Sequence, residues 1–429
     1  MKDSLKKFLR PLYLFILSVI DNIRLRIDYR DYIKRKEIIK SVISEKRKIR
    51  VVFFVYAIGM WKNDNLFRLL QSNERFEPII VPLFVITDRE EANFQNQEAI
   101  KKYCGNRGFP YLDLQNPSTG EWLNIEGLHP DVVLYQQPYG SPYKRYDIKA
   151  LWNNCLFYYI PYNMVMEKTG EFVNTLLFNI SQRVFAPSSY HVKEWSKLMY
   201  NKGNNLVVSG FTTFDFLTDM TYNSDVKWKI KDPKIKRIIW APHHSILDKG
   251  ILHYSNFIRL AEEMKNLAVA YNGAVQFAFK PHPRLRASLE RYPGWGKEKT
   301  DEYYKWWEDS PNTTFVNGEY YDLFLSSDAM IHDCSTFMAE YLYTQKPVFF
   351  IIKPNYKMPL TDFAKECMNN HYQGSTVESI KTFIDSVVID GKDEMYSRRL
   401  SFVEKTQLRP TNMSVADKIC QVISDDLLN

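Results

Sequence analysis

Histidine, lysine and arginine crowd a segment stiffened by two prolines, Phe279-Lys280-Pro281-His282-Pro283-Arg284. The prolines fix φ and keep the backbone extended beyond an apolar run, so Lys280, His282 and Arg284 are presented together on one rigid stretch. That grouping suits an anion. An imidazole hydrogen-bonds a phosphate oxygen and steadies charge on a leaving group, and Arg284 or Arg286 can grip phosphate through two parallel N–H donors. The second stretch is His332-Asp333-Cys334-Ser335-Thr336-Phe337-Met338-Ala339-Glu340. It follows the strand candidate Ala329-Met330-Ile331 and opens a helix expected over residues 336–344, which stops before Pro347 and a strand over 348–352. Such a βαβ unit sets the Ser335 and Thr336 hydroxyls and unpaired backbone N–H groups at a helix start, where a phosphate is favoured. Together the two stretches describe a pocket for a nucleotide diphosphate. Ser335, Thr336 and Asp333 can also cap that helix, a role compatible with phosphate binding. Glu340, one turn in, can direct its carboxylate at ribose hydroxyls.

A third feature, Ile239-Trp240-Ala241-Pro242-His243-His244-Ser245, ends another strand candidate. Adjacent histidines project differently, so one of His243 and His244 is expected to face the ligand, as general base or as a diphosphate contact. Asp248 nearby gives no recognised ligand spacing, so no metal site is expected.

The elements that must hold these residues are apolar runs alternating with longer mixed stretches, the pattern of doubly wound α/β domains. Strands are expected over 51–56, 78–84, 132–135, 156–160, 184–186 and 206–208, then over 237–240, 276–279, 329–331 and 348–352. Several are apolar throughout, as strands covered on both faces are. A polar, charged stretch from Asp215 to Lys236 separates the two sets. The chain thus divides into four segments: a basic helical segment over 1–45, an N-terminal α/β domain over 46–225, a C-terminal α/β domain over 226–400 and closing helices over 401–429. A chain of 429 residues, 45% hydrophobic and 15% aromatic, has material for two cores. Only 16 glycines occur and neither GxGxxG nor GxxxxGK[ST] is present, so no dinucleotide fingerprint or P-loop supports the pocket.

The net charge of +7 is unevenly placed, because residues 1–50 hold 15 Lys/Arg against 6 Asp/Glu while the rest is slightly acidic. This excludes a nucleic-acid surface spread over the fold and points to an anionic partner met by the N-terminus. Residues 12–20 are apolar except for Ser18, well short of the roughly 20 residues that span a bilayer. The reading is an amphipathic interfacial helix, with Lys6, Lys7, Arg10, Arg24 and Arg26 at anionic headgroups and Leu12, Phe15, Ile16 and Val19 in the acyl boundary. Five widely spaced cysteines without a CxxC pair suggest a reducing, cytoplasmic compartment at the inner face of the membrane.

Taken together, these motifs resemble the CDP-glycerol glycerophosphotransferase family, which builds teichoic-acid and capsule polymers. Ala241-Pro242 is similar to that family's "AP" turn, Lys280-Pro281-His282-Pro283 to its "K-x-H-P", and Asp333 through Glu340, followed by Lys346-Pro347, to its phosphate and ribose segment. Val207-Val208-Ser209-Gly210-Phe211 and Asp215 resemble its crossover between domains. The resemblance, over about residues 130–355, implies a GT-B architecture of two Rossmann-like domains facing a cleft. It implies a nucleotide-activated donor such as CDP-glycerol, a lipid-linked glycan acceptor and no metal or other cofactor. Lys280, His282 and Arg284 would meet donor phosphates, Ser335 and Thr336 would form the helix-terminal phosphate site and Glu340 would hold the ribose. The chain departs from the family at a first-domain "W-H-G-T-P" segment, where it reads Tyr159-Ile160-Pro161-Tyr162-Asn163 and lacks the presumed basic histidine. His243 or His244 would then substitute, or the transferred group would differ, including a sugar. A sugar-nucleotide 2-epimerase and a catalytically degenerate binding subunit of a glycan-assembly complex are the alternatives.

Overall fold

The apolar runs form two all-parallel sheets in a computed structural model that describes residues 2–83, 90–115, 121, 125–138, 146–168, 172–218, 228–248, 250–406 and 408–428. One unit comprises Met1–Tyr162, Thr169–Gly210 and Asn412–Asn429; the other comprises Asn163–Lys168 and Phe211–Thr411. The boundary expected between residues 225 and 226 lies outside the described residues, as does the end of the strand expected over 78–84.

In the first unit β1 (Ile49–Val55), β2 (Phe76–Pro82), β3 (Val132–Tyr135), β4 (Leu156–Tyr159), β5 (Arg183–Ala186) and β6 (Leu206–Val208) lie in the order β2-β1-β3-β4-β5-β6. Its β3 and β4 are buried at every position, which is why they read as unbroken apolar runs. The helix Val415–Leu428 closes this unit: Asp426 receives the Arg183 guanidinium at 2.6 Å and the Tyr158 hydroxyl at 3.3 Å.

The basic N-terminal segment is one helix, Lys2–Ser44. Leu25, Tyr32, Ile39 and Ile43 are buried on the first unit, a stripe at helical spacing, and the Tyr32 hydroxyl donates to the Cys155 carbonyl at 3.1 Å. Tyr13, Phe15, Ile16, Leu17, Val19, Ile20 and Ile23 are exposed. The side chains of Lys6, Lys7, Arg10 and Leu12 lie outside the described residues. No described helix is long and apolar enough to cross a membrane.

The second unit holds β7 (Lys236–Ala241), β8 (Val275–Phe279), β9 (Thr313–Phe315), β10 (Ala329–His332), β11 (Val348–Ile351) and β12 (Tyr372–Gly374), ordered β12-β11-β10-β7-β8-β9. The chain winds from β7 outward through β8 to β9, then returns to the other side of β7 with β10 and winds outward again. The order therefore reverses between β7 and β10, and ligands of open α/β sheets bind outside the carboxyl ends of strands at such a point. Beneath those ends lies an aromatic core. Trp240 of β7, Phe279 of β8 and Trp307 sit with ring centroids 5.1 to 5.2 Å apart, flanked by Phe257 and Tyr303. Large interlocked rings leave the strand ends little freedom, so the loops that leave them are held in register.

Candidate functional site

The three stretches singled out by their chemistry follow β7, β8 and β10, which are neighbours in the second sheet. Beyond β8 the chain continues the ladder, with Lys280 N–H donating to the Trp240 carbonyl at 2.8 Å and His282 N–H to the Pro242 carbonyl at 3.0 Å. Asp333 fastens the third stretch. Its carboxylate accepts the backbone N–H of His243 and that of Asn256, both at 2.6 Å. Asp333 is therefore spent on the loop after β7 and on the start of the helix Phe257–Ala270, instead of capping the helix it precedes. Burial pushes its pKa up to about 6, opposed by the N–H donors, so it is still anionic at neutral pH. The helix expected over 336–344 is a single α turn, Phe337–Glu340, continued by the 3-10 turn Tyr341–Thr344. Gln345 ends it in the left-handed region at φ 62°.

His243, His244 and His282 come together, with one nitrogen of each within 4.8 Å of the others. His243 is buried, its Nδ1 paired with Ser245 Oγ at 3.0 Å and its Nε2 3.5 Å from the Tyr254 hydroxyl. His244 and His282 are half-buried, their rings tilted by 51° with centroids 4.3 Å apart. The His282 tautomer follows from one contact. The Arg284 backbone N–H points at Nδ1 from 3.1 Å, and since an amide can only donate, Nδ1 carries the lone pair and Nε2 the proton. Three histidines at this separation are a cation site by proximity. A metal on His282 Nε2, however, requires the proton on Nδ1, where the amide already points, so this tautomer offers a donor to an anion.

Electrostatics agree. Burial, then His282, His244 and Arg284, depress His243 well below the ordinary range. Burial, then His244, Lys280 and Arg284, do the same to His282. His244 falls to about 4 through burial and Arg284. All three are neutral imidazoles at neutral pH, beside Lys280 and Arg284. Lys280 is buried, its ammonium 5.8 Å from the Tyr320 ring centre, and Arg284 is exposed. Arg286, the other arginine considered for phosphate, is ion-paired with Asp301 and covers the Tyr304 ring at 5.0 Å. Ser335 and Thr336 are half-buried, and no side-chain hydrogen bond from Thr336 caps the helix. Glu340 is buried and accepts the Tyr320 hydroxyl.

Sequence reasoning missed Glu167 and Tyr254. Residues Asn163–Lys168 follow β4 of the first sheet yet belong to the second unit, held by the Glu167–Leu360 bridge, by Lys168 N–H on the Pro359 carbonyl at 2.7 Å and by Thr361 N–H on the Met166 carbonyl at 2.8 Å. Glu167 Oε1 accepts the Tyr254 hydroxyl at 3.3 Å, and nearby Ser335 favours its ionised form. Burial raises its pKa, with those contacts opposing. No local signal marks this acid, because the segment reads as ordinary loop.

The family model described as CDP-Glycerol:Poly(glycerophosphate) glycerophosphotransferase matches residues 175–425. The teichoic acid ribitol-phosphate polymerase TarK of Staphylococcus aureus is 23% identical over 249 residues, 56% of this chain and 44% of its own. The chain thus spans under half the length of that relative. Among solved structures, the wall teichoic acid polymerase TagF soaked with CDPG aligns with a TM-score of 0.55 at 11% identity, covering 95% of this chain and 98% of that one. The S. aureus MnaA–UDP co-structure aligns at 0.57 and 14% identity, covering 90% and 98%. These likenesses show the fold, two Rossmann-like domains of GT-B type.

Proposed function

We propose that this chain, which belongs to the CDP-Glycerol:Poly(glycerophosphate) glycerophosphotransferase family, moves a polyol phosphate from a cytidine diphosphate donor to a hydroxyl of a lipid-linked glycan in teichoic-acid-like or capsule assembly. The observation that carries this reading is a His282 Nε2–H donor on the loop after β8, at the β7/β10 switch point where the Ser335–Thr336 loop also leaves the sheet. The names of the relatives support the class of transferred group: TarK is a ribitol-phosphate polymerase, and the TagF crystal was soaked with CDPG.

In this reading the acceptor oxygen attacks the phosphorus bearing the polyol, and CMP leaves with the electron pair of the broken P–O bond. His282 Nε2–H, Lys280 and Arg284 stabilise charge on the departing phosphate, while the Ser335 and Thr336 hydroxyls orient the other. His244 lies close enough to share that anion, Glu340 with Tyr320 holds the ribose, and His243 supports the cluster from behind. The chemistry calls for no metal. The exposed apolar surface from Tyr13 to Ile23, followed by Arg24, Arg26 and Arg30, rests on an anionic membrane face where a lipid-linked acceptor is presented.

Incubating the protein with CDP-glycerol, CDP-ribitol and UDP-N-acetylglucosamine, with a synthetic lipid-linked polyol-phosphate acceptor, tests the reading. Acceptor-dependent CMP release is expected. Epimerised UDP-sugar with no CMP would replace the proposal with the epimerase reading, and no turnover of any donor would favour a binding subunit.

A further inference from the structure

Helix Lys2–Ser44 is apolar on two opposite faces, and the chain itself covers only one of them. Leu25, Tyr32 and Ile39, spaced by seven residues, are buried against the first unit. On the other side Tyr13, Ile16, Ile20, Ile23 and Ile27 follow one another at alternating steps of three and four residues and are 39 to 61% exposed. That alternation averages about 3.5 residues, the repeat of a coiled coil. Tyr13, Ile20 and Ile27 take its a positions, and Ile16 and Ile23 its d positions. Leu25, Tyr32 and Ile39 then all fall at f, the position farthest from a partner helix. The first unit therefore hangs from the outer side of such a pair and leaves the seam clear.

Width and charge decide what lies against this seam. From Ile20 to Ile27 its members are separated by Asp21, Asn22, Arg24 and Arg26. Lipid takes a broad apolar arc, whereas a strict a/d stripe is the narrow seam of a helix pair. Opposite charges border it: Arg26 at g, exposed and steadied by the Tyr200 ring at 5.5 Å, and Asp31 at e. An anionic bilayer repels Asp31. In a parallel, in-register pair, g of one helix meets e of the next heptad of the other, so Arg26 of each copy faces Asp31 of the other. An antiparallel pair joins e to e and g to g and makes neither contact. The seam ends where its next two positions are Arg30 and Lys34, both exposed. Phe15 lies off the seam, and Leu17 and Val19 only border it, so lipid contact and pairing use different sides of one helix.

We propose that copies of this chain associate through Tyr13, Ile16, Ile20, Ile23 and Ile27 as a parallel coiled coil. Isoleucine at both kinds of seam position suits two or three strands. Pairing sets the lipid-facing residues of the copies side by side, where weak membrane contacts reinforce one another. The proposal is independent of the transfer reading.

The test uses the full chain without lipid, its mass followed by light scattering from about 1 to 100 μM. Wild type should reach two or three times the single-chain mass. Ile20→Gln combined with Ile23→Gln should stay at the single-chain mass with unchanged circular dichroism, since both side chains are exposed. Arg26→Asp and Asp31→Arg should each weaken association about tenfold, and the two together should restore it. Copper-phenanthroline oxidation should cross-link Ile23→Cys and spare Asn22→Cys, whose position c is off the seam; the chain's own cysteines are buried or half-buried. A single-chain mass for wild type at every concentration overturns the proposal, and vesicle binding lost in the double glutamine variant would then assign the stripe to lipid. Association that survives the double glutamine variant, a charge exchange that restores nothing, or cross-linking at position 22 as ready as at 23 overturns it too.

Discussion

Donor binding should draw protons into the histidine cluster, and the structure sets the size of the effect. Before binding, burial and Arg284 hold His244 at about 4, so at pH 6 only about 1% of it is charged. The His244 and His282 ring centroids lie 4.3 Å apart, so a diphosphate bonded to His282 Nε2 brings a negative charge to about 4 Å from His244. At an effective dielectric constant of about 20 that interaction is worth roughly 4 kcal/mol, or about three pKa units. His244 then titrates near 7, and binding at pH 6 takes up about 0.9 proton, falling to about 0.1 at pH 8. Titration calorimetry of CDP in buffers of different ionisation enthalpy reads this number as the slope of observed against buffer enthalpy. The affinity should tighten as pH falls from 8 to 6, and His244→Ala should remove most of the slope. A zero slope at pH 6 in the wild type would mean the diphosphate does not approach these rings, and the reasoning fails.

Acid should unfold the protein early. Burial holds His191 at about 3 and His371 at about 4. These folded-state values are depressed, so their contribution to stability is complete above about 6.5 and is lost as pH falls, about 2 kcal/mol each by pH 5. Asp333, raised to about 6, works in the opposite sense and returns about 1 kcal/mol over that range. Because His243, His244, His282 and His332 are depressed in the same sense, urea unfolding should show a loss of at least about 3 kcal/mol from pH 7 to pH 5; equal midpoints would refute the buried-neutral state of these rings. Trp307→Ala, which empties the centre of the aromatic core, should destabilise the protein by about 3 to 5 kcal/mol in the same assay, and a loss below about 1 kcal/mol would contradict the packing described. Removing residues 2–20 should weaken sedimentation with phosphatidylglycerol vesicles at least about tenfold while leaving CMP release from a soluble acceptor unchanged. The cut must stop there, because Leu25, Tyr32, Ile39 and Ile43 belong to the core of the first unit. Undiminished vesicle binding would refute the membrane role.

What could be read from the chain and what could not divides along physical lines. The ten strands expected from apolar runs all form, with ends shifted by a residue or two. The two that were missed, β9 (Thr-Thr-Phe) and β12 (Tyr-Gln-Gly), are the edges of the second sheet, where a strand is covered less and needs no apolar run. The clustering of His243 and His282 was legible because each follows a strong strand signal, and parallel strands deliver their ends to one edge. Glu167 was not, since its place depends on a crossing between units that leaves no periodicity behind. Asp333 carried a local signal for capping, but tertiary contact with the loop after β7 took its carboxylate instead. Likewise the helix Val415–Leu428 returns to the first unit through Asp426, a long-range ion pair that composition does not reveal.

The central claim is that the proline-braced His282 and the Ser335–Thr336 loop grip one diphosphate. A structure of the full chain soaked with CDP tests it most directly. Phosphate oxygens should lie within about 3 Å of both His282 Nε2 and the Ser335 or Thr336 hydroxyl. A nucleotide bound with its phosphates away from both groups would contradict it.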